Sequence, residues 1–230
     1  MTQVYPYEQS ARLDVMKFLP NISDQMCVLE IGCSTGQFRA NFPGKCLYWG
    51  IEPAESIAQI ASAHLDRVLV GTFDEVADTL PDNYFDCVVC NDVIEHMFDV
   101  DFFLEKIKAK MSDTGIIVGS VPNVRFFDNL FRLLILKDWK YVDTGVLDKT
   151  HVRFFTQKSL TRTFLLNGYE VEDLAGINGI KLKSPVDGYK ATRFILRLSA
   201  LIISFFIGRD TRFAQFGFRI RPTRKWITKK

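Results

Sequence analysis

The residues able to do chemistry fall in three short stretches. The first, Val28-Leu29-Glu30-Ile31-Gly32-Cys33-Ser34-Thr35-Gly36, sets an acid and two glycines at the end of an apolar run. Glycine lets a backbone approach a ligand where a Cβ would collide. The G-x-x-x-G spacing departs from the G-x-G-x-x-G of pyrophosphate binders, which offer bare helix-terminal amides to an anion. Glu30 would oppose an anion and suits a ligand carrying an ammonium group. The same residues also fit a tight strand-to-helix turn with no ligand.

The second stretch is Gly50-Ile51-Glu52-Pro53. Glu52 lies about 20 residues beyond Gly32, where a carboxylate can take both hydroxyls of a ribose. An acid at that point also favours the start of a helix, and the two roles are compatible. The third stretch, Phe85-Asp86-Cys87-Val88-Val89-Cys90-Asn91-Asp92-Val93-Ile94-Glu95-His96, is an apolar run that ends in a polar cluster. Asp92, Glu95 and His96 offer metal donors, but they lack a supporting ligand set, and no metal is expected. Cys87 and Cys90 would point to opposite faces of a strand, so they read as buried free thiols rather than a zinc or redox pair.

The elements that must position these stretches follow from the hydrophobic pattern. Apolar runs at Cys27–Ile31, Cys46–Ile51, Arg67–Val70, Phe85–Cys90 and Gly115–Val121 alternate with helical patterns at Gln37–Asn41, Ala54–Leu65, Glu75–Leu80 and Val100–Met111. Continuous apolar strands separated by helices are buried on both faces, as in a parallel, doubly wound Rossmann-like α/β sheet. In such sheets ligands bind at the carboxyl ends of the strands, where all three stretches fall. Gln9–Leu19 reads as a helix before the first strand. The alternation breaks after Pro122. Phe126–Trp139 reads as an amphipathic insertion helix and Tyr141–Thr150 as a polar loop, an insertion at about 124–155 after the fifth strand. Thr156 caps a helix that runs through Asn167 to Gly168. Tyr169–Leu174 and Phe216–Ile220 complete seven strands.

Composition bounds the reading. The 230 residues are 47% hydrophobic and 24% charged, which excludes a disordered or fibrous chain. Five cysteines without framework spacing point to reduced thiols in a cytosol, and the start lacks a signal-peptide pattern. The net charge of +2 conceals an asymmetry. Residues 1–180 hold 16 Lys/Arg and 25 Asp/Glu, a balance of −9, while residues 181–230 hold 13 Lys/Arg against Asp187 and Asp210, a balance of +11. We divide the chain accordingly into 1–180 and a basic, apolar extension, 181–230, that completes the sheet.

Taken together, Glu30–Gly36, Gly50–Pro53, Phe85–His96 and Gly115–Asn123 resemble the class I S-adenosylmethionine (SAM) dependent methyltransferases over roughly residues 5–175. The resemblance implies a seven-stranded, mostly parallel sheet with the last strand antiparallel, and SAM as cofactor. It implies that Glu30 serves the methionine ammonium end and that Gly32, Cys33, Ser34 and Gly36 shape the loop under it. Glu52, with Pro53, would hold the ribose, and Thr72 and Phe73 would flank the adenine. Asn91, Asp92 and His96 would line the methyl end. Ser34 stands where a glycine is frequent, and Thr72 where an Asp is. A narrower resemblance rests on Ser120-Val121-Pro122-Asn123, the Leu130–Trp139 stretch and Gly145–Thr156. These are similar to a bacterial subgroup that accompanies surface-polysaccharide and lipopolysaccharide biosynthesis, and more distantly to the ubiquinone-pathway O-methyltransferases. They imply a hydroxyl acceptor, a sugar or other small metabolite.

A hydroxyl is a poor nucleophile at neutral pH, so a general base helps by roughly 10²–10⁴-fold. Of the three histidines, His64 sits beside Ala63 and Leu65 and reads as a surface or packing residue. His151 follows Asp148 in the polar loop, so Asp148 could orient its ring, or the pair could simply close the loop. His151 and His96 are the base candidates. Asn123 and Arg153 are expected near the substrate; Arg153 could equally pair with a carboxylate.

Phe194–Ile207 is apolar, but its uninterrupted part is about half the roughly 20 residues that a membrane span needs. It fits a helix packed on the sheet or on a second subunit of a homodimer. It also fits an interfacial helix beside Arg193, Arg197, Arg209 and Arg212, which would hold a cytoplasmic enzyme at the inner membrane near a lipid-linked saccharide. The basic tail has no nucleic-acid recognition module. A non-catalytic scaffold on the same fold is the alternative, which the intact Glu30, Gly32, Gly36 and Glu52 set disfavours. A nicotinamide oxidoreductase is disfavoured by the glycine spacing and by the Asn91–His96 cluster.

Overall fold

Strands β1 (Cys27–Ile31) and β4 (Phe85–Asn91) lie side by side and parallel at the centre of the sheet. The structure is a computed structural model that describes residues 12–180 and 188–223. Parallel to β1 and β4 run β2 (Leu47–Glu52), β3 (Arg67–Val70) and β5 (Met111–Pro122). Strand β7 (Phe213–Pro222) enters antiparallel between β5 and β6 (Tyr169–Gly179), which gives seven strands in the order β3-β2-β1-β4-β5-β7-β6. The tail therefore contributes an interior strand. Helices α1 (Glu55–Ala61), α2 (Phe73–Val76) and α3 (Val100–Lys108) occupy crossovers between the parallel strands. Helices α4 (Phe127–Leu134), α5 (Gln157–Leu166) and α6 (Gly188–Ile207) follow β5 and β6.

Alternation along the strands divides the core. Leu29, Ile31, Val88 and Cys90 face one layer, with Phe103, Phe164, Phe216 and Phe218. Val28, Cys87 and Val89 face the other, with Phe18, Phe38, Phe42 and Tyr48. Each fully buried Phe contributes on the order of 2–3 kcal/mol of transfer free energy, so these rings fix the sheet firmly under the site. Cys87 and Cys90 are buried and free on opposite layers. Burial raises both thiols above their ordinary range.

Several helices are shorter than their patterns suggest. The stretch ahead of β1 holds only a 3-10 turn at Met16–Phe18; residues 9–11 of the expected helix lie outside the described residues. Gln37–Asn41 is also 3-10, and the Glu75–Leu80 pattern divides into α2 and a 3-10 turn at Ala77–Thr79. Segments this short gain too few hydrogen bonds to offset nucleation, and packing sets their geometry. The insertion helix ends at Leu134, and Lys137, at φ +54°, turns the chain away. Strand β6 runs longer than expected because β7 gives it ladder partners out to Gly179, and β5 begins earlier because Met111 pairs with Phe85 of β4.

Strand order reverses between β1 and β4, since β2 and β3 lie to one side and β5 to the other. A crevice opens at such a switch point, beyond the carboxyl ends of the strands.

Candidate active site

A cavity of about 1040 Å³ occupies this crevice. Pockets for one small ligand run to roughly 300–1,000 Å³, so there is room for a nucleoside-sized cofactor and an acceptor together.

Its first wall comes from β1, β2 and the loop between β1 and the following turn. Gly32 sits at φ +66°, and a Cβ there would lie 2.8 Å from Val93 Cγ2, so only glycine fits. The Cys33 amide donates to the Ile51 carbonyl at 3.0 Å, which docks the loop on β2. Glu52 braces it from the other side: its carboxylate accepts from the Ser34 amide and the Ala54 amide, each at 3.0 Å. Glu30 is buried and accepts from the Tyr48 hydroxyl at 2.9 Å. Burial raises its pKa to about 8, against the opposing effects of Tyr48 and Arg12. Such a carboxyl is costly to ionise alone and gains from a cationic ligand brought beside it.

The side chains on this wall fit SAM. The Asn91 amide and the Ser34 hydroxyl are buried on the cavity surface with no hydrogen-bond partner. Unmet polar groups of this kind call for a polar ligand, and an amino acid–nucleoside supplies donors and acceptors for them.

Asp92 leaves β4 at φ +54° and closes the back of the cavity. Arg12 reaches it at 2.5 Å, Gln215 at 2.7 Å and Ser120 at 2.9 Å. Arg12 and Gln215 were not legible in sequence: they come from the N-terminal segment and from β7, and neither belongs to a motif.

The opposite end is built by the 143–151 loop folding over the 3-10 turn at Ile94–His96. The amides of Val152 and Arg153 both donate to the Glu95 carbonyl at 3.0 Å, and this brings His151 against Glu95. His151 Nε2 lies 3.9 Å from Glu95 Oε1, and the His96 and His151 rings stand 4.7 Å apart. Each ring places Nδ1 beside a backbone carbonyl, Thr150 for His96 at 3.2 Å and Val146 for His151 at 3.1 Å. Glu95 is only 1% exposed, and neither carboxylate oxygen reaches a partner on another residue. Burial first, and then Asp92, raise its pKa well above the carboxylate range. Desolvation in the cleft and the neighbouring His151 lower that of His96.

Of the expected cofactor residues, Glu30, Gly32, Cys33, Ser34, Glu52, Pro53, Asn91 and Asp92 line the cavity, as do His96, Asp148 and His151. Gly36, Thr72, Phe73, Asn123 and Arg153 are not on its wall. Phe73 does not flank an adenine here, because its ring turns into the core against Phe103 at 4.9 Å. Thr72 caps α2 through Glu75. Asn123 is fully buried behind the cavity wall and spends its amide on the carbonyls of Asp210 and Phe213. Arg153 donates to the carbonyls of Met97 and Phe98 and fastens that turn instead of a substrate. Asp148 does not orient His151; its Oδ1 takes the Thr150 amide and hydroxyl at 2.8 and 2.6 Å, and Glu95 is the carboxylate that faces the ring.

Comparison with known proteins agrees with this geometry. Residues 7–174 match the family described as methyltransferase domain. A ubiquinone biosynthesis O-methyltransferase of Azorhizobium caulinodans is 29% identical over 162 residues, covering 65% of this chain and 61% of that protein. The chain thus spans about three-fifths of the length of that relative. A SAM-dependent methyltransferase from Archaeoglobus fulgidus superposes with a TM-score of 0.61 at 17% identity, over 90% of both chains. A SAM-dependent methyltransferase of Thermotoga maritima, described as a possible histamine N-methyltransferase, gives 0.58 at 20% identity over 93% of this chain and 88% of that one. With that family matched over residues 7–174, and with the fold shared with the SAM-dependent enzymes around a cleft that fits the cofactor, the chain belongs to the methyltransferase domain family.

Proposed function

We propose that the chain transfers the methyl group of SAM to a hydroxyl acceptor. The reading is carried by one observation: a single cavity joins a wall suited to an amino acid–nucleoside with an end formed by Glu95, His96 and His151. SAM supplies an electrophilic methyl on a positively charged sulfur. The transfer is an in-line displacement, so the protein chiefly has to align the reacting atoms. Glu30 holds the amino-acid end, Glu52 meets the ribose, and Asn91 lines the methyl end. Glu95, His96 and His151 face the acceptor hydroxyl and polarise it, and its proton leaves to water. The 143–151 loop covers them and limits water.

The acceptor itself is proposed at the level of class. A hydroxyl accords with the name of the Azorhizobium relative, and the Ser120–Asn123 and Gly145–Thr156 resemblance favours a sugar or other metabolite of cell-surface glycan synthesis. The test is a calorimetric titration with SAM and S-adenosylhomocysteine, followed by labelled-methyl transfer to a panel of phenolic and nucleotide-sugar hydroxyls. Binding of both nucleosides and label on an acceptor oxygen support the reading. No binding at millimolar levels removes it.

We also propose a cytoplasmic enzyme that touches the inner membrane. No helix among the described residues is long and apolar enough to cross a membrane. The end of α6, however, exposes Ile202, Phe205 and Phe206 at 56%, 67% and 80%, with Arg209 exposed beside them. Arg212 turns inward to Ser204, and the Arg193 and Arg197 side chains lie outside the described residues. Co-flotation with anionic vesicles is expected, and loss of it in Phe205→Ser/Phe206→Ser checks the face.

A further inference from the structure

The geometry points to a divalent transition-metal site formed by Glu95, His96 and His151, at the end of the cleft where the acceptor hydroxyl has to lie. This deepens the methyl-transfer reading and rests on it for the ion's role, though not for the ion's binding.

Three observations carry it. One donor atom from each residue lies within 4.8 Å of the others. Around one tetrahedral ion with bonds of about 2.1 Å, donors sit roughly 3.4 Å apart, so a modest closure, available to the exposed His96, completes the set. The Glu95 carboxylate is buried and has no hydrogen-bond partner on another residue, although Asp92 nearby is fully engaged with Arg12, Ser120 and Gln215. A buried acid without such a partner is an unmet polar group that a cation brought beside it would satisfy. Finally, both imidazoles set Nδ1 beside a backbone carbonyl, and Nε2 of His151 faces Glu95 Oε1 at 3.9 Å. A carbonyl only accepts, so each Nδ1 donates to it, and Nε2 is the nitrogen a neutral ring would offer to an ion. A ligating histidine typically gives its other N–H to a carbonyl or carboxylate in this manner.

Two imidazoles and one carboxylate suit a first-row divalent ion and leave positions open for an incoming oxygen. A hydroxyl bound there is more acidic, because the cation stabilises the oxyanion. Its proton passes to water, the oxygen attacks the methyl carbon, and the carbon–sulfur bond breaks with its electron pair left on sulfur. The acceptor becomes a methyl ether and the product is S-adenosylhomocysteine.

The site was not legible as such because its third ligand lies in a loop far along the chain. Asp92, the residue that seemed to complete the set, is committed elsewhere.

The test uses the purified full chain, stripped with a chelator and titrated with Co²⁺, read by its visible absorption, and with Zn²⁺ by calorimetry. One ion per chain is expected. Glu95→Gln and, separately, His96→Ala should weaken binding by at least about tenfold, whereas His64→Ala should not. SAM titrations of the same samples report on the fold and on the cofactor end. Wild-type protein that binds SAM but takes up no ion overturns the site, as does binding unaffected by both substitutions. Ion binding that depends on Glu95 in a chain that ignores SAM sustains the site while the methyl-transfer reading fails.

Discussion

The cofactor end of the cleft is assembled from the tips of neighbouring strands, β1, β2 and β4, whose loops carry their ligand-facing residues within a few positions of one another. The acceptor end joins Glu95 and His96 to a loop that reaches Thr150, 54 residues beyond His96. The first end is held rigidly by the ladder beneath it and by the Glu52 carboxylate. The second hangs on a few backbone hydrogen bonds, those from Val152 and Arg153 to Glu95 foremost. A fold that must always bind one cofactor but accept different substrates gains from this division. The shared ligand is met by strand ends and the variable one by a grafted loop.

The strongest way to break the comparison is to strain the rigid end. Gly32→Val would force a β-branched residue to φ +66° against Val93. A strain of about 3 kcal/mol is expected at such a position, and a loop that relaxes away from the cleft loses SAM affinity by roughly a hundredfold. Calorimetry beside a retained circular dichroism spectrum checks this. Affinity within threefold of the parent would mean that the cofactor is not seated on this loop.

A smaller effect with a distinctive pH signature comes from Glu30. Its folded pKa of about 8 lies above the unfolded value near 4.5, so the native state holds a proton that the unfolded chain releases in this window. Stability therefore falls as pH rises from about 4.5 to 8, and the penalty is complete above that. Glu30→Gln should melt several degrees higher than the parent at pH 9, on the order of 1–2 kcal/mol, and the gap should close by pH 4.5. The same substitution should cost about tenfold in SAM affinity. SAM binding to the parent at pH 7 should also release a proton, seen as a buffer-dependent heat of binding. No release would place the ammonium elsewhere.

At the looser end, His151→Ala should lower turnover at least tenfold on the true acceptor while SAM affinity is unchanged. Asp148→Asn should fall well short of that, because Asp148 holds Thr150 and not the ring. Comparable losses in kcat for the two variants would restore Asp148 as the partner of His151.

The contrast between the ends also explains what sequence could reveal. The β1 and β2 motifs announce themselves because strand, acid and glycine are contiguous, and a residue's neighbours in sequence are its neighbours in the site. The parallel sheet was readable for a similar reason: each strand is buried on both faces and therefore continuously apolar. Phe73 failed as an adenine neighbour because one rotation at the start of α2 decides whether the ring meets the cleft or Phe103, and no local pattern encodes that rotation. Asn123 and Arg153 failed because a polar side chain at the right place can satisfy backbone carbonyls as readily as a substrate. Arg12 and Gln215 reach Asp92 from 80 and 123 residues away, and the Gln215 contact exists only once β7 has entered the sheet.

Arg153 supplies the mildest and most discriminating case. Its guanidinium donates to the carbonyls of Met97 and Phe98 and contacts no wall of the cavity. Removing it deletes hydrogen bonds at an exposed turn, about 1 kcal/mol and 2–4 °C in melting temperature for a chain of this size. The turn it fastens follows directly on His96, so a slight rise in the mobility of the acceptor end is expected, with kcat reduced less than threefold. KM for the acceptor should not move, because no substrate atom meets the guanidinium. A tenfold rise in that KM, rescued by Arg153→Lys, would show instead that the arginine turns inward to an anionic acceptor. The loose end would then be organised by its substrate rather than by its own backbone.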